Sequence, residues 1–296
     1  MSDTQVQPPV PLVRNEPVEI ANGISVIPDG GVPLVPNVGF VSGKKSLLVV
    51  DTGMGVRSGT AVLGHARRLA NGKRLILTIT HFHPEHGYGA QVFAPLATIV
   101  YNRAQLDELH EKGYPYADLF RGFGDTVADE LAGFETVEPD VVYDGEAEID
   151  LGGRIVQLRT YGGTHTKGDQ WVFLPEERIL FTGDLVENKG FAIFPYFPPD
   201  DVDVNGDRWI EAIEQMERLE PAIVVPGHGD VGDVGVLTAA REYLVQLRDE
   251  TRRLAGEGVA IDDIVSRLEH DMQERHPDWV QPEWIGLGAR SFHAAP

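Results

Sequence analysis

The sequence predicts an α/β protein, folded as a four-layer αβ/βα sandwich in which two mixed β-sheets pack together and helices cover the outer faces. Two observations lead to this prediction. Strand-like blocks are followed by helical stretches twice along the chain, which is typical of sheets covered by helices. The 296 residues are 42% hydrophobic and 24% charged, so the chain can bury a large core. We expect one domain over 17–296, ending in a helical extension over about 234–296, and a flexible arm over 1–16.

The first half of the chain begins with strand-type segments. Apolar residues alternate with turn signals in "ISVIPDGG" and "VGFVSGKKSLLVVDTGMG", where "GKK" is typical of a hairpin turn. A helix is expected over about Ser58 to Ala70, and the apolar strand "RLILTIT" follows it. This strand leads directly to His81, so the first half predicts a sheet with a histidine-rich segment at the end of one strand.

The second half repeats the pattern. Two helical stretches, "RAQLDELHEKG" and the region from Tyr116 to Phe134, follow the short strand "ATIVY". A β-rich block comes next, with "VVYDG", "AEIDLGG", "RIVQLRTYGG" and "QWVFLPEERILFTGD". The helix "DRWIEAIEQMERLEP" precedes the strand "AIVVPGHGD", and the tail contains two helical segments, "VLTAAREYLVQLRDETRRLAGEG" and "IDDIVSRLEHDMQER". These segments predict a second sheet with its own helices.

Charge and composition exclude several classes of function. The formal net charge is −21, so the chain lacks the positive surface that nucleic acids and anionic membranes require. The absence of cysteine excludes disulfides, thiolate metal ligands and a cysteine nucleophile. No apolar run approaches the ~20 residues of a membrane-spanning helix. The N-terminal stretch has neither the basic nor the apolar region of a signal peptide, so we expect a cytoplasmic protein.

Three histidines lie within six residues, in "HFHPEH". His81 and His83 follow an apolar strand with one residue between them, and in an extended backbone this spacing points both imidazoles the same way. Convergent imidazoles are the start of a site for a metal such as zinc. The alternative is a group of loop histidines that only make hydrogen bonds.

Three further ligand-type side chains follow apolar strands in the second half. His165 lies in the Gly-rich turn "GGTHTKGDQ", Asp184 ends "ILFTGD", and His228 ends "AIVVPGHG". Strand ends at one edge of a sheet are where α/β folds collect their functional residues. Four such strand ends in order indicate a metal site more strongly than any one of them.

This series of motifs resembles the metallo-β-lactamase superfamily, whose signature is His-x-His-x-Asp-His followed by a His, a Gly-Asp and a Gly-His. The resemblance spans about Val18 to Gly229 and includes the "DTG" at Asp51. It implies a dinuclear metal site with this ligand set: His81, His83 and His165 for one ion, His86, His228 and Glu85 for the other, and Asp184 as the bridge. It also implies that Asp51 orients a ligand histidine from behind, the alternative being a turn or cap role. Asp169 is interpreted as a structural residue that binds backbone amides of the Gly-rich loop.

Glu85 departs from the signature, because the family normally has Asp at this position. Its carboxylate lies one methylene further from the backbone, and metal–oxygen distances must fall near ~2.0–2.2 Å. Glu85 either folds back to bind the second ion or acts as an acid or base beside it. We favour the ligand. Pro84 stiffens the loop, so local rearrangement around Glu85 is limited. Glu85 and Asp184 are therefore the catalytic candidates as well as metal ligands.

The chemistry of such a site predicts a metal-dependent hydrolase that uses a metal-activated water on a small-molecule ester, lactone, thioester or amide. The cofactors would be two divalent ions, with zinc the first choice and iron or manganese as alternatives. No Gly-x-Ser-x-Gly motif offers a serine nucleophile instead. Two other classes stay open: a mononuclear iron-dependent oxygenase of the same fold, and a non-catalytic metal-binding scaffold. Homo-oligomerisation is also left open.

Two segments bear on the substrate without deciding it. The stretch "KGFAIFPYFPPDD" either lines an apolar pocket or covers the core, and the segment from Tyr114 to Asp125 is a candidate lid. Trp279 and Trp284 are expected to pack on the body of the protein or on a second subunit. The remaining histidines are interpreted as surface residues: His65, His110, His270, His276 and His293.

Overall fold

A computed structural model of the chain describes residues 9–295. The first eight residues of the predicted arm, and the last residue of the predicted C-terminal extension, lie outside the described residues. Within the described part of the arm, Val13 is buried and its amide donates to Ser58 Oγ at 3.2 Å. The chain divides into two compact units. The first contains the described residues up to Tyr101 together with Leu106–Val141, and the second contains Asn102–Gln105 together with the described chain from Val142 onward.

The first sheet is mixed, with its strands arranged in the order of the sequence. The first four strands are antiparallel neighbours, and the fourth, fifth and sixth are parallel. Parallel strands are covered on both faces and therefore read as continuous apolar runs, as "SLLVV" does. The strands are β1 (Val18–Ala21), β2 (Ile24–Ile27), β3 (Val38–Ser42), β4 (Ser46–Val50), β5 (Arg74–Thr78), β6 (Ala97–Asn102) and β7 (Val141–Tyr143).

Four α-helices lie between the later strands of this sheet in the sequence: α1 (Gly55–Ala70), α2 (Pro84–Gly87), α3 (Arg103–Arg121) and α4 (Asp125–Glu130). Helix α1 begins three residues before the predicted start, at Gly55. This position needs glycine, because its φ is +67° and a Cβ would lie 1.9 Å from the carbonyl oxygen of Glu130.

The two predicted helical stretches after β6 are divided differently in the structure. Helix α3 continues through Pro115 to Arg121, and only the short α4 follows it. The proposed lid segment starting at Tyr114 falls largely in the last turns of α3, where Tyr116 and Phe120 are buried. The segment is therefore helical as far as Arg121, with Tyr116 and Phe120 buried and Tyr114 exposed.

The second sheet is also mixed and has the order β12-β11-β10-β9-β8. Its last two strands in the sequence, β11 and β12, are parallel, and the other neighbours are antiparallel. A helix connects these parallel strands, as a parallel crossover requires. The strands are β8 (Glu146–Asp150), β9 (Ile155–Thr160), β10 (Gln170–Leu174), β11 (Ile179–Phe181) and β12 (Ile223–Val225).

The helices of the second unit are α5 (Gly206–Glu217), α6 (Val234–Gly256), α7 (Ile261–Arg275) and α8 (Glu283–Ala294). The sequence predicts the first three, but not α8. The unit has its own hydrophobic core, which includes Trp209, Phe194 and Phe292. Trp279 packs on this body beside Phe191, with ring centroids 5.3 Å apart. The predicted boundaries of the domain and of its helical extension remain predictions.

Among the described residues, no helix is both long and apolar enough to cross a membrane.

Candidate metal centre

The histidine-rich segment follows β5 and is buried. His81, His83 and His86 are each no more than 3% exposed. The His81 ring lies 4.6 Å from the His83 ring and 4.3 Å from the His86 ring, measured between centroids. The sequence predicts that His81 and His83 converge, and in the structure their rings meet edge-on, with 75° between their planes.

Glu85 and His86 lie on the short helix α2 rather than on an irregular loop. Pro84 occupies the first helical position, where a missing N–H costs nothing. The amides of His86 and Gly87 donate to the carbonyl oxygen of His83 at 3.1 and 3.0 Å, which closes the turn. Glu85 is 3% exposed, so its carboxylate is placed inside the protein by a backbone turn that is itself hydrogen-bonded.

Asp51 orients the His86 ring through a hydrogen bond with its Nδ1, as the resemblance implies. Asp51 Oδ2 lies 2.8 Å from His86 Nδ1 and accepts from Thr80 Oγ1 at 2.9 Å, while Oδ1 accepts from the Thr80 amide at 2.7 Å. A ring that donates from Nδ1 is in the tautomer whose Nε2 carries the lone pair. Asp51 is buried and its φ is +67°, a left-handed conformation that Asp and Asn tolerate better than other side chains.

In the second unit, His165 is oriented by a backbone carbonyl. Its Nδ1 donates to the carbonyl oxygen of Ile193 at 2.8 Å, which again leaves the lone pair on Nε2. The turn that carries His165 is braced by Asp169, which accepts from the Thr166 amide at 2.6 Å, from Thr166 Oγ1 at 2.8 Å and from the Thr164 hydroxyl. The structural interpretation of Asp169 is confirmed.

Asp184 and His228 follow the two parallel strands of the second sheet. Asp184 lies in a short 3-10 turn directly after β11, and His228 follows β12, with 3.5 Å between Asp184 Oδ1 and His228 Nε2. Gly227 makes this approach sterically feasible, because a Cβ there would lie 2.1 Å from Asp184 Oδ1. The glycine of the "PGHG" motif is therefore explained by the carboxylate beside it.

Two groups of His, Asp and Glu side chains each offer ligand atoms that lie within 4.8 Å of one another. The first group contains His81, His83, His165 and Asp184, and the second contains Glu85, His86, Asp184 and His228. Every ligand candidate from the sequence belongs to one of these groups. Imidazole nitrogen and carboxylate oxygen are donors that zinc, iron and manganese accept, so the two clusters are consistent with a dinuclear metal site.

Several supporting residues have no signal in the sequence. The Ile193 carbonyl is a backbone group, which no side-chain pattern reveals. Thr80 adjoins His81 and anchors Asp51 through two hydrogen bonds, but a threonine at the end of a strand is common. The aromatic segment after Asp184 contributes core residues, since Phe191 and Phe194 are fully buried.

The interpretation of the other histidines as surface residues is wrong for His65. It lies on the inner side of α1 and is 8% exposed. Burial lowers the pKa of His65, and the nearby Arg68 guanidinium lowers it further. His276 is half-buried, with its ring 4.2 Å from that of Trp279. Sequence spacing alone did not separate these two from exposed histidines such as His270.

Several known proteins are similar to this chain. It is 20% identical, over 77% of its length, to a linear primary-alkylsulfatase from Pseudomonas sp.. It is 26% identical, over 51% of its length, to a metallo-β-lactamase type 2 from Bacteroides fragilis. The chain spans about half the length of these curated relatives, 49% and 51%. A solved metallo-β-lactamase from Pontibacter korlensis superposes with a TM-score of 0.63 at 21% identity, covering 78% of this chain and 99% of that one.

The structural likeness confirms the predicted fold class, an α/β sandwich with two mixed sheets and helices. The sequence model of the metallo-beta-lactamase superfamily matches residues 31–228, which include the motif from His81 to His86 with Glu85 at the usual Asp position. The match covers most of the chain and reaches every one of the candidate ligands. The chain therefore belongs to the metallo-β-lactamase superfamily.

Proposed function

We propose that the protein is a metal-dependent hydrolase that uses a metal-activated water on a small-molecule ester, lactone, thioester or amide. The observation that carries this proposal is the pair of buried ligand clusters with Asp184 in common. A shared carboxylate suits two neighbouring ions, and dinuclear sites of this kind serve hydrolysis. Membership of the superfamily supports the same conclusion.

The residues would divide between two divalent ions, zinc in the first place and iron or manganese otherwise. The first ion would be held by His81, His83 and His165, the second by Glu85, His86 and His228, and Asp184 would bind both. When bound, such ions lower the pKa of water toward ~7 and polarise the bond under attack.

The protein itself would hold the ligand side chains in the orientation for metal binding before an ion binds. Asp51 and the Ile193 carbonyl each accept a hydrogen bond from a ring Nδ1, that of His86 and that of His165 respectively. Both rings are thereby held in the tautomer that can ligate through Nε2. Second partners of this type raise the basicity of the ligand as well as orienting it.

Glu85 would act as a ligand rather than as a free acid or base. Its side chain is buried on α2, next to His86, and belongs to the second cluster. A carboxylate that is removed from water needs a positive partner, and a metal ion is the strongest one. Asp184 and Glu85 are then the two carboxylates that set the charge of the site.

The substrate would be a small molecule, not a nucleic acid or a membrane surface, because the chain carries a net charge of −21. The names of the relatives, an alkylsulfatase and a β-lactamase, support ester or amide bonds as the kind of bond attacked. The cytoplasm would be the place of action.

Metal analysis combined with a substrate panel tests this proposal. The purified protein is reconstituted with zinc, manganese or iron, its metal content is measured, and ester, lactone and β-lactam substrates are offered. We expect about two ions per chain, loss of the first in His165→Ala and of the second in Glu85→Ala. His270→Ala, which removes an exposed histidine of α7, is the matched control and should keep both. A wild-type protein that takes up no metal contradicts the proposal.

A further inference from the structure

Helix α3 carries a row of side chains that points at the histidine-rich segment. Glu108, Lys112 and Tyr116 are spaced four residues apart, which places them on one face of the helix. All three are at most 8% exposed, although two are charged and one is a phenol. Polar side chains are rarely buried this deeply in a row without a specific task.

Two members of the row, Tyr116 and Lys112, contact Phe82 or His83. The Tyr116 ring lies parallel to the His83 imidazole, with 5.0 Å between centroids and 18° between planes. The same ring meets Phe82 edge-on, at 4.9 Å and 71°. Lys112 Nζ lies 5.7 Å from the centroid of Phe82, and its charge is paired with Glu108 at 3.2 Å.

We propose that Tyr116 is a positioning residue that fixes the plane of the His83 imidazole for metal binding. This inference rests on the proposed function, in which His83 is a ligand of the first ion. A histidine ring turns about its last side-chain bond with little cost, because that torsion has broad minima. A parallel ring packed against one face removes this freedom, since rotation of the imidazole would drive its edge into Tyr116.

Lys112, one turn earlier on α3, adds a second contact with the histidine-rich segment. Its ammonium group above the Phe82 ring holds the residue between His81 and His83 through a cation–π contact. Glu108 Oε1 lies 3.2 Å from Lys112 Nζ, so the buried lysine has a group of opposite charge beside it. Tyr116 thus contacts the His83 ring, and Lys112 contacts the side chain of the preceding residue, Phe82.

Three variants test whether the stacking of Tyr116 on His83 affects metal binding. Tyr116→Ala removes the ring, and Tyr116→Phe keeps the ring but removes the hydroxyl. Phe120→Ala is the matched control, because Phe120 is equally buried one turn further along α3, with its centroid 6.3 Å from that of Tyr116. All three variants are compared in the full-length protein by zinc titration against a chromophoric chelator and by thermal unfolding.

Partners of a metal-ligating histidine typically change metal affinity by ~10- to 100-fold when they are removed. We therefore expect Tyr116→Ala to bind the first zinc about tenfold more weakly, Tyr116→Phe to retain wild-type affinity, and Phe120→Ala to lose thermal stability without loss of affinity. Equal affinities in Tyr116→Ala and wild type overturn the inference, as does an equal loss in Phe120→Ala. If wild type itself binds no zinc, the proposed function has failed and not the stacking argument alone.

Discussion

The substitution Asp51→Asn tests how the second ion would be held. It changes one oxygen of a buried carboxylate to an amide nitrogen and leaves the size of the side chain unchanged. The backbone at this position has a φ of +67°, which Asn accepts as readily as Asp. The fold is therefore preserved, and the effect is confined to the hydrogen bonds and the charge of the side chain.

These hydrogen bonds decide the outcome. The Thr80 amide donates to Asp51 Oδ1 at 2.7 Å and needs an acceptor there, so the amide oxygen of the variant should occupy this place. The new NH2 group then faces His86 Nδ1, which is 2.8 Å from Oδ2 in the native protein. His86 must accept at Nδ1 and carry its proton on Nε2, the atom that would bind metal.

The expected loss is ~10- to 100-fold in the affinity of the second ion, about 1.4–2.8 kcal/mol, since this is the usual cost of removing a partner of a ligand histidine. The first ion should be almost unaffected. Unfolding of the metal-free protein should change by about 1 kcal/mol or less, because the number of hydrogen bonds is nearly conserved.

Competitive zinc titration resolves the two affinities, and metal analysis after dialysis gives the number of ions retained. Asp29→Asn is a suitable control, since it alters another buried carboxylate of the same unit, one that accepts from the Gly31 amide at 3.1 Å. If Asp51→Asn binds both ions as tightly as wild type, Asp51 does not set the tautomer of His86 and the argument is refuted.

Three further predictions concern the same site and the core. Glu85→Asp should weaken the second ion and reduce hydrolysis by up to ~10²-fold, because the turn is built around the longer side chain; tighter binding in a zinc titration would show that Glu85 is a poorly fitted ligand. Gly227→Ala should abolish metal binding at Asp184, since the added Cβ would lie 2.1 Å from its Oδ1; normal stoichiometry would contradict this. Burial, and secondly Arg68, lowers the pKa of His65, so the folded state resists protonation and its stability should fall as the pH drops below about 6.5. Urea unfolding at about pH 7.5 and about pH 5.5 should show a smaller drop for His65→Gln than for wild type, and equal drops would exclude His65 as a cause.

The alternation of strands and helices was sufficient to predict the fold class, because both sheets consist of short apolar runs separated by turn residues. The ends of elements were less predictable. Helix α1 starts at Gly55 because this glycine fits against the Glu130 carbonyl, which is a contact distant in sequence. Helix α8 contains Gly286 and Gly288, which lower helix propensity, yet Phe194 and Leu247 pack against Gly288. Tertiary packing decides both cases.

The ligand candidates could be predicted from the sequence, because histidine and buried carboxylates are rare and follow strands in a fixed order. The groups that position these ligands could not be predicted, because they are common side chains and backbone atoms that only folding brings near. Thr80 anchors Asp51, which contacts His86, and the Ile193 carbonyl accepts from His165. Tyr116 lies 33 positions after His83 in the sequence, on a helix that was predicted to be divided. A single sequence reveals the atoms that would contact a metal more readily than the atoms that position them.

Three turn residues beside the ligand candidates share a positive φ, and this backbone conformation explains their residue types. Asp51, Gly183 and Gly229 each follow a strand and adopt a positive φ, of 67°, 54° and 86°. A residue in this region turns the chain out of the extended direction, and only glycine, or Asp and Asn, adopt it at low cost. The turn after β11 presents Asp184 and the turn after β12 presents His228 at the edge of the second sheet. Motifs such as "DTG", "TGD" and "PGHG" therefore join two requirements in a few letters: a backbone that leaves the sheet abruptly, and a ligand-type side chain at the point where it leaves.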